Sequence, residues 1–470
     1  MRKQGQVHVF SCLDTHLALD VESDSLHQID AITAEVLRIY QDYSREEILQ
    51  RLTPRFDTAE VKGVLAEIEE AVGEGTLFCP PAVTGWEPSG EPVVKALCLH
   101  VAHDCNLRCR YCFGDTGEFG GTRELMSREV ARQAIDFLLN NSGQRSRCEL
   151  DFFGGEPLLN LPVVRETIAY ARAEGAKRGK VFKFTLTTNA VLLTEAVRQE
   201  LQDLGVSLVL SLDGRPAVHD RMRPFAGGRG SSEQVVPHIL AAVKADLQGD
   251  WWIRGTYTRD NLDFAEDAKY ILELGIDRFS LEPVVAKLPD PHGLQEEDIP
   301  TLCAEYERLA GLYLERARQG HPFTFFHFEV DLNHGPCLPK RFTGCGAGHE
   351  YFAVAPNGDL YPCHQFVGRE AYKEGSVAAG VKRPDLVQEF RRTTVFTKPA
   401  CRACWARYHC GGGCHANAEF FNGDLKQPYE LGCALEKKRL ECALYLKARL
   451  DFGLERELVP AEGVSFGGTE

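Results

Sequence analysis

The chain has 470 residues, 44 % of them apolar and 26 % charged, which supplies apolar side chains for more than one core. A formal net charge of −15 with no compensating basic run excludes a nucleic-acid partner, and no apolar run approaches the roughly 18–20 residues of a membrane span. The opening MRKQGQVHVFSC lacks the apolar core of a secretion signal, so the cytoplasm is the expected compartment, with no membrane partner.

Residues 1–78 read as a unit. VHVFSC, HLALDV and LHQID are short alternating runs with turn residues between them, the pattern of a small strand meander. Helices are expected over 31–42, from Ser44, and from Asp57 to a stop at Gly73 and Gly75. Strands followed by three helices resemble a winged-helix module. Residues 79–95, rich in proline and glycine, form a linker. Between 96 and 319 the pattern alternates: the strand candidates ALCLHVA, CELDFF, FKFTLTT, VSLVLSL, WWIRGTYT and IDRFSLEPVV are separated by helical patterns over 127–141, 163–178, 192–204, 232–247, 262–274 and 299–319. Mostly apolar strands between helices imply an α/β fold with a parallel sheet, either an incomplete barrel or doubly wound. Polar residues gather where each strand ends, the rim on which such sheets carry their chemistry. From 320 to 435 periodicity gives way to cysteine-rich sequence, expected to need metal in place of a hydrophobic core. Residues 436–470 hold a terminal helix and a tail.

Seventeen cysteines, an odd count, fit metal better than a disulfide framework in such a compartment. Cys12, Cys79, Cys98, Cys148 and Cys303 are scattered and read as buried inert thiols, as does Cys442. HVAHDCNLRCRYCFG sets Cys105, Cys109 and Cys112 at C-x3-C-x2-C with no fourth cysteine nearby. Structural zinc takes four ligands, commonly in pairs. A [4Fe–4S] cube on three thiolates leaves one iron for a small molecule with an amine and a carboxylate, such as S-adenosylmethionine. Tyr111 precedes the third cysteine, and FFGGEP ends the second strand. There Gly154 and Gly155 permit close backbone approach, and Glu156 can accept from an ammonium group. The second set is Cys401, Cys404, Cys410 and Cys414 in CRACWARYHCGGGC, then Cys433, with Cys345 and Cys363 upstream. Its C-x2-C-x5-C alone would also suit a zinc ribbon.

The first constellation resembles the radical S-adenosylmethionine (radical SAM) signature, and the surrounding region resembles that superfamily's partial (β/α)6 barrel. The resemblance implies cleavage of the sulfonium to a 5′-deoxyadenosyl radical that abstracts hydrogen. It also implies Asn189, Ser211 and Asp213 beside the ribose and methionine portions of the cofactor, with Arg223 on its carboxylate. The seven-cysteine order is similar to the SPASM domain. That resemblance implies Cys345, Cys363 and Cys414 on a first auxiliary cluster and Cys401, Cys404, Cys410 and Cys433 on a second, making three [4Fe–4S] clusters. Cys337 is either the fourth ligand of the first auxiliary cluster or absent from it, leaving an iron for a substrate thiolate.

Over nearly the whole length, including LHVAHDCNLRCRYCFGDTGEFGG, SLDGRPAVHDRMRP and GDLYPCHQFVG, the chain is similar to SCIFF peptide maturases. That family installs thioether bonds between cysteine sulfur and an acceptor α-carbon in a ribosomal peptide. The resemblance implies a cysteine-rich precursor peptide as partner, and a flavodoxin or ferredoxin as electron donor. It further implies that residues 1–78 act as a RiPP recognition element gripping the leader as an added strand. Anaerobic sulfatase maturases, which form formylglycine, carry an Asp after the cysteine matching Cys363, whereas this chain has His364 there, a candidate catalytic residue. Other sactipeptide or quinohemoprotein-type maturases, and a non-catalytic iron–sulfur protein that binds peptide or carries electrons, are the alternatives.

Overall fold

Alternating apolar side chains turn one face of three short strands inward: β1 (Val7–Cys12), β2 (Thr15–Asp20) and β3 (Leu26–Ile29). In this computed structural model, which describes residues 5–245, 251–286, 289–332 and 338–451, they pair antiparallel in the order β1-β2-β3. Helices α1 (Ala31–Ile39), α2 (Arg45–Leu52) and α3 (Thr58–Gly73) follow. Asp30, Ser44 and Asp57 cap them, Ser44 and Glu47 forming a reciprocal capping box, and each cap contributes about 1 kcal/mol. Helix α1 ends before the expected residue 42 because Tyr40 and Asp42 donate three residues back, to Leu37 and Ile39, which tightens the last turn. Val36, Ile48, Val61, Leu65 and Ile68 from the three helices close on Ala18, Leu77 and Phe78.

No helix or strand occurs between 79 and 95. The alternating region then forms as its periodicity predicts. Strand β4 (Ala96–His103), with the short antiparallel β5 (Glu124–Leu125), precedes α4 (Arg128–Asn141). After it come β6 (Arg147–Gly154), α5 (Leu161–Lys177), β7 (Val181–Thr188), α6 (Glu195–Asp203) and β8 (Val206–Ser211). Helices α7 (Pro216–Met222) and α8 (Ser232–Lys244), β9 (Trp251–Tyr257), α9 (Phe264–Glu273) and β10 (Arg278–Pro283) complete it, ahead of α10 (Ile299–Arg318). Strands β4, β6, β7, β8, β9 and β10 pair parallel in that order, and every residue of β4 is buried.

The cysteine-rich part departs from expectation. After β11 (Thr324–Phe325) and α11 (Leu338–Thr343), the four residues of β12 (Tyr351–Val354) lie parallel to β4, with Tyr351 opposite Ala96. Strands β13 (Asp359–Tyr361), β14 (Gly375–Ser376) and β15 (Gly380–Val381) extend the sheet outward, antiparallel. Helices α12 (Pro384–Arg392), α13 (Pro399–Arg402), α14 (Arg407–Cys410), α15 (His415–Asn422) and α16 (Glu430–Asp451) follow. The expectation that metal stands in for a hydrophobic core is corrected here: Phe352, Phe366 and Phe390 are at most 2 % exposed, and Phe366 and Phe390 pack with Leu386, Ala416 and Phe420.

The chain divides into two compact units. One gathers the described parts of 1–82, 303–335 and 437–470; the other holds those of 83–302 and 336–436. Inside the first unit, β1 meets the end of α16. There the Cys12 and Cys442 sulfurs are 3.9 Å apart, His8 Nε2 is 3.0 Å from Glu441, and Tyr445 Oη donates to Asp14 at 3.3 Å. Lys438 and Glu307 pair in the same unit. No described helix is long and apolar enough to cross a membrane.

Candidate cluster and cofactor site

Past the end of β4, Asp104 Oδ1 accepts from the Cys105 N–H at 2.8 Å and starts the cysteine loop. The loop is tied on both sides. Arg108 N–H donates to Pro224 O at 2.8 Å and Arg110 N–H to Met222 O at 2.9 Å, with Leu107 bridging Phe225. Opposite, Gly155 N–H donates to Ala102 O at 2.8 Å and Glu156 N–H to Asp104 O at 2.9 Å. A Cβ at Gly154 would stand 2.3 Å from Ala102 O, and one at Gly155 2.2 Å from Asp104 O. Only glycine lets these strand ends touch. The pair thus admits the backbone of the cysteine loop as well as lining the cavity beside it.

That cavity, about 220 Å³, is lined by Cys105, Cys109 and Cys112 together with Gly154, Gly155, Asn189, Ser211, Tyr111 and Arg223. His364 and Gln365 line it too, so most of the sequence-selected residues of this site share one space. Two do not line it. Glu156 is fully buried: its Oε1 accepts from Leu158 N–H (3.0 Å) and Thr188 Oγ1 (2.8 Å), and its Oε2 from Asn189 N–H (2.9 Å). Burial raises its pKa to about 7 against the opposing pull of those bonds. It braces Asn189, whose Nδ2 donates to Asn106 Oδ1 at 2.7 Å and reaches Cys105 Sγ at 3.7 Å. Asp213, also buried, accepts from Tyr111 Oη (2.7 Å), Arg223 Nε (3.2 Å) and Thr256 N–H (3.0 Å). Asp213 therefore orients Arg223 through Nε and leaves its Nη donors uncommitted among the described residues. Burial keeps Tyr111 protonated, and its hydroxyl accepts from Arg223 Nε at 2.7 Å.

Burial pushes the Cys105 thiol up to about 11 and Cys109 up to about 12. Thiols in such surroundings ionise when a metal's charge compensates, and three soft donors on one cavity fit an iron–sulfur cluster whose irons each take one thiolate. Among the described residues no three Cys, His, Asp or Glu side chains converge on a single ion position. His364 sits against Phe153 (5.1 Å between centroids) and Phe113 (5.7 Å). Burial, then the charge of Arg254, lowers its pKa to about 4, so at neutral pH it is a neutral imidazole and a weak base.

A family profile, the 4Fe–4S single cluster domain, matches residues 90–237, the segment that carries this triad. The cysteine-type anaerobic sulfatase-maturating enzyme of Clostridium novyi is 22 % identical over 68 % of this chain and 88 % of its own length. Mycofactocin maturase MftC of Mycolicibacterium smegmatis is 27 % identical over 73 % of this chain and 86 % of its own. An uncharacterized protein of Methanocaldococcus jannaschii is 27 % identical over 190 residues, 62 % of its length. The chain is a homologue of radical SAM maturases. The fold agrees. The structure of anSMEcpe with bound AdoMet and Kp18Cys peptide superposes with a TM-score of 0.61 at 20 % identity, over 75 % of this chain and 98 % of that one. Streptococcus suis SuiB bound to precursor peptide SuiA reaches 0.51 at 15 % identity, over 92 % of this chain and all of its own.

In this radical SAM homologue the second cysteine set falls into two groups. Cys363 feels the charges of Cys414 and Cys345, and Cys414 that of Cys345, while Cys410 feels those of Cys433 and Cys401. Cys404 follows Cys401 within one turn, its N–H on Cys401 O at 2.9 Å. Cys337 lies outside the described residues. Gln365, which lines the cavity, also extends Nε2 to 3.8 Å from Cys414 Sγ.

Gln365 and Arg254 are among the cavity residues that escaped the sequence reading. Arg254 stands on β9 opposite Ser211 and Ser280 and has no carboxylate partner among the described residues. Its signal was available, since an arginine inside an otherwise apolar, aromatic parallel strand needs a reason.

Proposed function

We propose that this chain is a radical SAM maturase that joins a cysteine sulfur to an acceptor α-carbon in a ribosomally made, cysteine-rich precursor peptide. The observation that carries the reading is one cavity lined both by the Cys105–Cys109–Cys112 triad and by Gln365, whose Nε2 stands 3.8 Å from Cys414 Sγ. Gln365 thus links the cavity where a hydrogen atom would be taken to a sulfur of the first auxiliary group. Holding both reacting centres in one cavity replaces a bimolecular encounter with an oriented one.

Bound there, a reduced [4Fe–4S] cluster and S-adenosylmethionine supply the radical that removes hydrogen. The uncommitted Nη donors of Arg223 suit the cofactor's carboxylate. Asn189 and Ser211 offer polar contacts from adjoining strand ends, and Glu156 acts one layer back by holding Asn189. Two further clusters fit the groups that include Cys345, Cys363 and Cys414, and Cys401, Cys404, Cys410 and Cys433, giving three in all. His364, neutral at pH 7, suits a hydrogen bond to a substrate sulfur better than proton abstraction. A carboxylate base, as in formylglycine-forming maturases, has no counterpart at that position. Residues 5–78 hold a three-stranded sheet whose edge strands, β1 and β3, are the candidates to take an extended leader. Likeness to SuiB over 92 % of the chain reaches into this region, and SuiB was crystallised with its precursor peptide. Electrons would arrive from a flavodoxin or ferredoxin.

The test uses a short cysteine-rich peptide encoded beside the gene, incubated anaerobically with reconstituted enzyme, adenosylmethionine and reductant. Loss of two hydrogens with one thiol protected from alkylation supports thioether formation, and fragmentation locates the bond. A formylglycine product, or abundant 5′-deoxyadenosine with an unchanged peptide, sinks the thioether reading.

A further inference from the structure

FTKPAC places a lysine three residues before the first cysteine of the second auxiliary group, immediately ahead of α13. Lys398 is 1 % exposed. Lysine is almost never buried so fully without a charge partner, yet no carboxylate lies within ion-pair distance of it among the described residues. Its Nζ donates to Gly412 O at 2.7 Å, leaving two of its three N–H donors without a protein acceptor there. Its own carbonyl accepts from the Cys401 N–H at 3.0 Å, and Gly412, which anchors its Nζ, lies between Cys410 and Cys414 in the chain. Burial lowers the lysine's pKa, and the charges of Cys401, Cys410, Cys414 and Cys433 oppose that shift. Gly412, with a positive φ of 94°, brings the carbonyl that anchors Nζ.

A buried amine with unmet donors, set beside cysteines of both groups, is matched by acceptors that are themselves sulfur and negatively charged. Hydrogen bonds and positive charge beside an iron–sulfur cluster stabilise its reduced, more negative state. We propose that Lys398 is a positioning residue that gives its N–H donors and fixed charge to the sulfurs of the auxiliary clusters and so raises their reduction potential. The inference deepens the proposed function and rests on its assignment of auxiliary clusters. In that chemistry a C–H bond is broken by hydrogen-atom removal, a C–S bond forms, the thiol proton passes to solvent, and one electron is left over. A raised auxiliary potential would favour the passage of that electron from the substrate to the auxiliary clusters, with an acceptor of the flavodoxin or ferredoxin class taking it from there.

The test needs no substrate. The full-length C105A/C109A/C112A protein, reconstituted anaerobically, retains only auxiliary iron, and Lys398 is changed in that background. Redox titration followed by electron paramagnetic resonance reads the clusters directly, with iron and sulfide content as the control. In K398M the reduced-to-oxidised ratio at a fixed poise should fall tenfold or more, about 59 mV for a one-electron couple, and K398R should recover most of it. A K398M protein with full iron and a ratio within threefold of its parent overturns the proposal. Should K398M fail to keep its iron, K398Q, which retains N–H donors, is titrated by the same criterion. Loss of iron in both variants makes Lys398 a support of the fold and overturns the proposal while leaving the cluster assignment intact. A parent without auxiliary iron overturns that assignment as well.

Discussion

The two cysteine regions of this chain are built in different ways. Loop 105–112 is held by backbone hydrogen bonds to Met222 and Pro224, and the segment entering it, at Ala102 and Asp104, by bonds from Gly155 and Glu156, none of which involves a metal. Segment 401–433 instead spreads its cysteines over short helices, the turns between them and the start of α16, with Gly411, Gly412 and Gly413 all at positive φ. The first is a finished site offered to a cluster. The second spends backbone freedom to bring thiols together, and its order depends more on what those thiols bind.

The largest effect that would sharpen this contrast is C109A. Adenosylmethionine cleavage should fall below detection when 5′-deoxyadenosine is measured, while the melting temperature moves by less than about 4 °C; a large drop in melting temperature would break the comparison. Iron removal comes next. Hydrogen exchange after chelation should accelerate across 401–433 and remain slow over β4 and β6, and equal loss in both regions would mean the barrel loop also needs its metal. Gly155→Ala forces a Cβ against Asp104 O and should cost about 1–3 kcal/mol in denaturant unfolding, with reduced iron uptake at the triad. Glu156→Gln should cost about 1–2 kcal/mol. Either orientation of the new amide sets an NH2 against the N–H of Asn189 or Leu158, and weakened adenosylmethionine binding in a calorimeter would report the loosened Asn189.

What could be read in advance follows from what is local. The capping box of Ser44 and Glu47, the alternation of strands and helices, and the cysteine spacings are all encoded within a few residues, and they appear as expected. Strand β12 was not legible because four residues carry no usable period, and its partner β4 lies some 250 positions earlier. Glu156 was legible as important but not as buried, since its three donors come from two separate segments. Lys398 reads as an ordinary surface lysine until the fold buries it and ties its Nζ to Gly412 O.

The seam between β1 and α16 bears on how the chain is made. Cys12 and Cys442 touch although they lie 430 residues apart. At roughly 5–20 residues per second, translation separates their emergence by roughly 20–90 s. The proposed leader-binding sheet therefore waits, with one side of β1 uncovered, until the last described helix leaves the ribosome. A chaperone has that interval in which to act, and a chain truncated before residue 437 would disturb its N-terminal sheet before its cysteine loop.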